Sequence, residues 1–332
     1  MKRTLLLLTL KGIILSLVMV FIVSCNLFGI GGGSGIKTIL LNRDIDQDGD
    51  NDVVSIFHNI AGGNQDDYGN SLHVDRRGKI YVTGYSYNGS NYDMYVIRMN
   101  NDGSLDTSFG TNGKVVVNNI AGGNSWDSGN SIYVDRNGKI YVTGESYNGS
   151  NKDMYVIRLN SDGIVDNTFG RSLGRDIDGD GNNDNAVVVN NIAVRNSSDS
   201  GKSIYVDRSG KIYVTGSSSN GRDYDMYVIR INSDGSVDNT FGTNGKVVFN
   251  SIAEGNYLDF GKSIYVDSSG KIYVTGSSWK GSSLDMYVIR LNSGGSLDNT
   301  FATNGKVVVN NIAGRNSSDS GKSIYVDRSG KI

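Results

Sequence analysis

The chain has 332 residues, with 32 Lys and Arg against 34 Asp and Glu. Three of the basic residues lie within the first 25, so the remainder carries a charge of about −5 (29 − 34) and offers no basic face to nucleic acid. A single Cys excludes an intramolecular disulfide. With 45 Gly and no Pro, the turns must be built from Gly, Asn, Asp and Ser.

The N-terminus has the features of an export signal. Residues 1–3 are basic, and residues 4–23 are apolar except for one Lys. Residues 22–25, Ile-Val-Ser-Cys, resemble the lipobox of bacterial lipoproteins, which implies a lipid on Cys25. We therefore predict a signal peptide over residues 1–25 and a lipid that anchors the exported protein at the cell membrane or outer membrane. The alternative is an uncleaved transmembrane anchor, because the apolar stretch is nearly long enough to span a bilayer.

The remainder of the chain is a tether followed by tandem repeats. Residues 26–36 are Gly-rich, which predicts a flexible tether. Residues 37–332 repeat one unit and begin in mid-unit. The copies start at Ser71, Ser131, Ser203, Ser263 and Ser323, at spacings of 60, 72, 60 and 60 residues. A fixed period in this range indicates a propeller, a solenoid or another array whose units bury their apolar faces against their neighbours.

Each unit contains four segments typical of short strands. In the second copy they are residues 131–135, 139–144, 153–159 and 187–191, which are rich in Ile, Val, Tyr and Thr and are bounded by polar turns. Four antiparallel strands per unit match one blade of a β-propeller. We therefore predict an all-β propeller with about four complete blades and a split or truncated fifth. Because the chain stops in mid-unit after Ile332, we also expect a truncated C-terminus.

The first copy shows a family resemblance. Residues 78–84 (Gly-Lys-Ile-Tyr-Val-Thr-Gly), 93–98 (Asp-Met-Tyr-Val-Ile-Arg) and 108–110 (Ser-Phe-Gly) resemble the delta-60 repeat, a propeller-forming repeat of unknown function in exported bacterial proteins. The resemblance implies the propeller fold and assigns no catalytic residues. The last copy departs from the pattern at Gly294, which replaces Asp, and at Ala302, which replaces Gly, so a looser turn is expected there.

Two acidic segments have the spacing of a calcium-binding loop. Carboxylates at alternate positions with a Gly at the sixth can surround a hard cation, although the Glu that completes an EF-hand is missing. Structural Ca²⁺ is therefore expected in both, and the alternative is a solvated acidic loop. The predicted ligands are Asp44, Asp46, Asp48, Asp50 and Asp52 in the first segment and Asp176, Asp178, Asp180, Asn182 and Asp184 in the second.

Catalytic arrangements receive little support from the sequence. His58 and His73 stand where other copies have Asn and Tyr. This favours the interpretation that they are strand residues that have diverged between copies, rather than a proton-transfer pair. An Arg that recurs at the same place in every unit favours ion pairs at strand edges. We therefore expect the chain not to be an enzyme.

The loops between the second and third strands, together with the links between blades, carry exposed aromatic residues. Rigidly held aromatic side chains are typical of surfaces that bind a glycan or a protein. The alternative is that they cover the edges of the blades. The proposed ligand-binding residues are Tyr68, Trp126, Tyr257, Phe260 and Trp279.

Three functions are compatible with this pattern. The first is a membrane-anchored lipoprotein whose propeller is a non-catalytic binding or scaffold module for a glycan or surface protein at the cell envelope. The second is a propeller lyase or hydrolase that acts on an extracellular polysaccharide, which needs unrepeated polar residues near the channel. The third is a purely structural envelope protein.

Overall fold

The computed structural model describes residues 18–22, 35–40, 53–194, 197–255, 257–312, 314 and 317–332, with side chains from Ser55 onward. Cys25 and the first acidic segment, residues 44–52, lie outside the described residues. Within the described part of the chain, no helix is long and apolar enough to cross a membrane.

The described chain consists of β-strands in five sheets, as predicted for an all-β fold. The N-terminal sheet contains β1 (Val18–Ile22), β2 (Gly35–Leu40) and β3 (Val53–His58). Blade 1 contains β4 (Asp67–Val74), β5 (Ile80–Tyr87), β6 (Tyr92–Met99) and β7 (Lys114–Val117). Blade 2 contains β8 (Asp127–Val134), β9 (Ile140–Tyr147), β10 (Lys152–Leu159), β11 (Arg171–Ser172) and β12 (Asn185–Val189). Blade 3 contains β13 (Asp199–Val206), β14 (Ile212–Ser219), β15 (Tyr224–Ile231) and β16 (Lys246–Phe249). Blade 4 contains β17 (Asp259–Val266), β18 (Ile272–Lys280), β19 (Ser283–Leu291) and β20 (Lys306–Val309).

Each blade is an antiparallel meander, and the first strand of one blade lies against the first strand of the next. Asn70 Nδ2 on β4 donates to the Gly129 carbonyl on β8 at 2.9 Å, and Asn130 Nδ2 makes the same bond to Gly201 on β13. The first strands are therefore the inner strands of the propeller. They begin about four residues earlier than the sequence pattern predicts, at Asp127 in blade 2, because Gly and Ser residues hide the strand signal there.

The N-terminal sheet precedes blade 1. Strand β3 pairs with β2 antiparallel and with β1 parallel. Ser55 Oγ donates to the Gly103 carbonyl of blade 1 at 2.6 Å, and Phe57 is fully buried in the core that it shares with that blade. Strand β1 lies within the predicted signal peptide, and β2 includes the last two residues of the predicted tether.

The C-terminal residues 317–332 lie where the inner strand of a fifth blade would stand. The N–H of Ile324 donates to Ser263 Oγ at 3.1 Å, and Tyr325 packs against Tyr265 with ring centroids 5.4 Å apart. The equivalent bond joins each earlier pair of neighbouring inner strands, for example Ile264 and Ser203. Four complete blades and a partial fifth unit are therefore present, as predicted; three blades have four strands, and blade 2 has β11 as a fifth strand at its outer edge.

A recurrent ionic cluster connects each blade to the next. In blade 2, Arg158 Nε donates to Asp166 Oδ2 at 2.8 Å, and Lys139 Nζ donates to the same oxygen at 2.5 Å. Arg158 Nη1 also donates to the Ser233 carbonyl of blade 3 at 2.7 Å, while its guanidinium lies 4.6 Å from the centre of the Phe169 ring. The prediction of ion pairs for the recurrent Arg is confirmed, and the same cluster occurs in blades 1, 3 and 4.

The altered turn of blade 4 keeps the conformation of the others. Ala302 has a φ of +45°, close to the +54° of Gly242 in blade 3, and the carbonyl of Gly294 still accepts the Gly242 N–H at 2.9 Å. The looser turn expected from the sequence is therefore absent, although Ala302 occupies a backbone region that favours Gly.

An aspartate at the start of each inner strand holds the link that enters its blade. The Asp127 carboxylate accepts the N–H groups of Asn119 and Ile120 at 2.7 and 3.2 Å. Asp199 and Asp259 occupy the same position in blades 3 and 4. Burial raises the pKa of Asp127, Asp199 and Asp259 to about 6, because a charged carboxylate is poorly solvated there.

Stability is expected to rise as the pH falls from about 7.5 to about 5, by on the order of 1 kcal/mol or more. These three aspartates bind protons more tightly when folded, so their contribution is complete below the unfolded pKa of 3.8 and is lost as the pH rises through about 6. Below about pH 4 stability should fall again, because the ion-pair partners outweigh burial and hold the folded pKa of Asp106, Asp166 and Asp238 well below the unfolded value of 3.8. The unfolded chain therefore binds protons at these residues first, and this contribution to stability is lost progressively as the pH falls towards the folded pKa. Urea unfolding in a chelating buffer measures both the rise in stability between pH 7.5 and 5 and the fall below pH 4. A flat profile between pH 5 and 7.5 would contradict the expectation.

Candidate functional site

A cavity of about 340 Å³ lies between the inner strands. It is lined by Asn70, Asn130, Lys202, Lys262 and Lys322, which occupy the same position in five successive units, together with Phe260. The side chains of three lysines and two asparagines therefore line one space. Burial and the nearby Lys322 lower the pKa of Lys262, as expected when ammonium groups crowd together. Such a cavity favours an anionic or strongly hydrogen-bonding ligand.

An unrepeated carboxylate adjoins this cavity. Glu145 on β9 stands where the other blades have Tyr85, Ser217 and Ser277. Its Oε1 accepts Lys152 Nζ at 2.5 Å, and its Oε2 accepts Lys202 Nζ at 3.1 Å and also the hydroxyl of Ser200.

The charges around Glu145 fix its protonation state. Burial opposes ionisation, but Lys202, Lys152 and Ser200 outweigh it and lower the pKa of Glu145 to about 2. The side chain is therefore ionised at neutral pH. It is suited to accepting hydrogen bonds from a ligand rather than to donating a proton.

An aromatic cluster continues from Glu145 across the face of blade 1. Lys152 Nζ lies 5.1 Å from the centre of the Trp126 ring. Trp126 packs against Tyr85 and Tyr92, with ring centroids 4.9 and 5.0 Å apart. Tyr68 stacks on Tyr85 at 4.6 Å and is 39% exposed. The structure therefore brings together two of the predicted ligand-binding residues, Tyr68 and Trp126, and adds Tyr85 and Tyr92 to them.

The other predicted aromatic residues lie elsewhere. Phe260 lines the cavity and packs against Tyr224 with ring centroids 5.9 Å apart. Tyr257 is 49% exposed and lies beneath the guanidinium of Arg222, 5.4 Å from it. Trp279 is half-buried at the end of β18. The predicted residues are thus divided: Tyr68 and Trp126 share one cluster, whereas Phe260 lines the lysine-lined cavity.

A second aromatic array follows the inner strands. His73, Tyr133, Tyr205, Tyr265 and Tyr325 stand at one repeated position, and neighbouring ring centroids are 5.2 to 5.5 Å apart. Burial lowers the pKa of His73, so the ring is neutral at physiological pH. His58 is buried at the end of β3. His73 thus acts as a packing residue, as the sequence favoured.

The second acidic segment brings three of its predicted ligands together. One carboxylate oxygen each from Asp176, Asp178 and Asp184 lie within 4.8 Å of one another. Asp180 is not in this group and instead accepts the Asn182 N–H at 2.7 Å.

Sequence reasoning missed Glu145 and Lys202. The signal was present, since Glu145 is the one charged residue at its repeat position and Lys202 begins a change from Asn to Lys along the inner strands. A single chain without its fold, however, gives no indication that these two positions meet.

Two families of repeats match the chain. A β-propeller domain of unknown function (DUF5122) matches residues 78–109, 136–169, 208–241 and 268–301, and a β-propeller repeat matches residues 188–222 and 252–281. With four meander blades, these matches define a propeller built from tandem repeats. The chain belongs to the repeat β-propellers, and the resemblance to the delta-60 repeat is compatible with this. Among curated proteins, none matches the sequence.

Several solved structures are similar in fold. A family PL25 ulvan lyase bound to -[GlcA(1-4)Rha3S]- is 12% identical with a TM-score of 0.42, over 70% of this chain and 55% of the lyase, so the chain spans about half its length. An exo-1,5-α-L-arabinanase from a bovine ruminal metagenomic library is 14% identical with a TM-score of 0.37, over 72% of this chain and 76% of the arabinanase. The α-L-arabinanase of Cellvibrio cellulosa complexed with arabinohexaose is 12% identical with a TM-score of 0.37, over 71% of this chain and 76% of the arabinanase.

These similarities correct one expectation. The sequence led us to expect that the chain is not an enzyme, and this is wrong in the light of the solved propellers that resemble it, which are polysaccharide lyases and glycosidases. The expectation rested on the weak support that the sequence gives to a catalytic arrangement, and the structure adds an unrepeated polar group, Glu145 with its lysines, beside the cavity. At these identities the likeness shows the fold alone.

Proposed function

We propose that the protein binds an anionic polysaccharide at the cell envelope, across the cavity and the aromatic cluster. The observation that carries the proposal is the cavity lined by Lys202, Lys262 and Lys322, together with the aromatic cluster in which Tyr68 is exposed and Trp126 is half-buried. Ammonium groups pair with carboxylates or sulfates, while aromatic faces pack against the C–H faces of sugar rings. The basic start and the apolar run before Cys25 support export and a lipid anchor.

The geometry gives each group a role in this binding. Glu145 is held ionised between Lys152 and Lys202, so it can accept hydrogen bonds from sugar hydroxyls. Phe260 lines the cavity itself. The aromatic cluster of Tyr68 and Trp126 is connected to the cavity by ionic contacts, from Lys202 through Glu145 to Lys152, which lies over the Trp126 ring. We expect an extended chain to follow this path from the cavity to the cluster.

Binding of polygalacturonate, measured by calorimetry on the purified protein, tests the proposal. The double substitution Lys202→Met and Lys262→Met should weaken binding by about tenfold or more, because two ionic contacts are lost. Trp126→Ala should have a similar effect through the loss of ring contacts. The matched control is Arg208→Met, an exposed cation on the turn between β13 and β14, which should bind as the wild type does.

Neutral arabinan is the companion ligand. Equal affinity for arabinan and polygalacturonate, or unchanged affinity in the double variant, would contradict the proposal. Reducing ends and unsaturated sugars are assayed in the same mixtures, and their appearance would extend binding to cleavage.

A further inference from the structure

We propose that residues 173–184 form a binding site for a divalent cation of the Ca²⁺ type, and that the bound ion stabilises the link between blades 1 and 2. The first observation is the group of three carboxylates, since Asp176, Asp178 and Asp184 each place an oxygen within 4.8 Å of the other two. Three carboxylates so close repel one another unless a cation or protons neutralise them.

A second observation points to a ligand. Asp184 is fully buried, and its Oδ2 accepts the Ile177 N–H at 2.9 Å, whereas its Oδ1 has no hydrogen-bond partner. A buried carboxylate oxygen without a partner is costly, and a cation at this place would satisfy it.

The turn around these carboxylates is already formed. Asp176 accepts the N–H groups of Gly179 and Gly181 at 2.7 and 2.8 Å. Both glycines have a positive φ, +81° and +90°, which brings the backbone round within a few residues. Each carboxylate oxygen keeps a second lone pair, so these bonds leave Asp176 free to coordinate an ion.

The same loop replaces a contact that blade 2 lacks. In blades 1, 3 and 4, a Lys at the start of the outer strand donates to the carbonyl of the Ile in the entering link, as Lys246 does to Ile192 at 2.5 Å. Blade 2 has Ala186 at that position. Arg175, from the inserted loop, donates instead to the carbonyls of Asn119 and Ile120 at 2.7 and 2.5 Å.

Arg175 and Ile177 flank the first carboxylate, so ion binding and the link are directly connected. Ile177 is buried in the core between blades 1 and 2, and its carbonyl accepts the Asn118 N–H at 3.0 Å. A cation that fixes Asp176, Asp178 and Asp184 therefore also fixes the two residues that hold the link.

Calcium titration of the full chain tests the site. Asp184→Asn and, at the exposed rim, Asp176→Asn should each bind one Ca²⁺ fewer than the wild type and lose a calcium-dependent rise in melting temperature of about 2–4 °C. Residues 44–52 have the same acidic spacing and are also expected to bind Ca²⁺. The measurement is therefore the number of ions bound by each variant compared with the number bound by the wild type. The matched control is Asp162→Asn, an exposed carboxylate in the same blade. It should bind as many Ca²⁺ ions as the wild type and keep the calcium-dependent rise in melting temperature.

Hydrogen exchange tests the connection to the link. Ca²⁺ should slow exchange of the Asn118 amide in the wild type and in Asp162→Asn, but not in Asp184→Asn, because that amide is bonded to Ile177. Unchanged stoichiometry in both site variants would refute the site. Calcium binding without slower exchange at Asn118 would refute the stabilisation of the link.

Discussion

Replacement of Asp166 by Ala is expected to lower the free energy of unfolding by about 3–5 kcal/mol, because it leaves a buried cation without its partner. The Asp166 side chain is 4% exposed and that of Arg158 is 10% exposed. Burial disfavours the charge of Asp166, yet Lys139, Thr168 and Arg158 outweigh burial and hold its pKa well below the usual range. Urea unfolding at pH 7 measures the loss.

Two matched variants distinguish the ionic cluster from a general effect of losing a carboxylate. Asp162→Ala, on the exposed turn of the same blade, should change stability by less than about 0.5 kcal/mol. Asp298→Ala in blade 4 should cost less than Asp166→Ala, because its partner Arg290 is 21% exposed. Equal losses for Asp162 and Asp166 would show that the cluster does not hold the blades.

Replacement of Gly144 by Ala is expected to destabilise the protein by about 3 kcal/mol or more, because the new methyl group has no room. A Cβ at this position would lie 1.7 Å from the Ser128 carbonyl oxygen and 3.0 Å from Tyr155 Oη. That hydroxyl donates to the same carbonyl at 3.0 Å within a fully buried layer. The clash cannot be relieved without moving β8, the inner strand of the blade.

Gly294→Ala is the control for this effect. A Cβ at Gly294 meets nothing within 4 Å, and its φ lies outside the left-handed region. The change should be neutral or stabilise by up to about 1 kcal/mol, since it restricts the unfolded chain. Thermal unfolding of both variants measures the difference. A Gly144→Ala protein as stable as Gly294→Ala would mean that the inner strand can yield at no cost.

The candidate site shows where prediction from sequence ended. Tyr68 and Trp126 were identified because aromatic residues in variable loops are visible in the repeat pattern. Tyr85 belongs to the same cluster but lies within a strand, where an aromatic side chain is expected for packing alone. Glu145 and Lys202 are 57 residues apart and belong to different blades, so only the assembled propeller brings them together.

The acidic loop was also predicted only in part. Its spacing predicted five ligands, and the structure groups Asp176, Asp178 and Asp184. The role of Arg175, which replaces a missing Lys, could not be predicted from the sequence, because its contacts are with the link into blade 2, about 55 residues earlier in the chain.

The sequence alone determined the blades of this protein. Alternating apolar residues, polar turns and a fixed period are local signals, and they sufficed to predict four-stranded units, their number and the partial last unit. The tertiary structure decided what the blades do together: the lysine-lined cavity, the carboxylate beside it and the ionic contacts from blade to blade. These contacts join residues far apart in the chain, so their geometry depends on how the blades are placed around the axis and not on any local pattern.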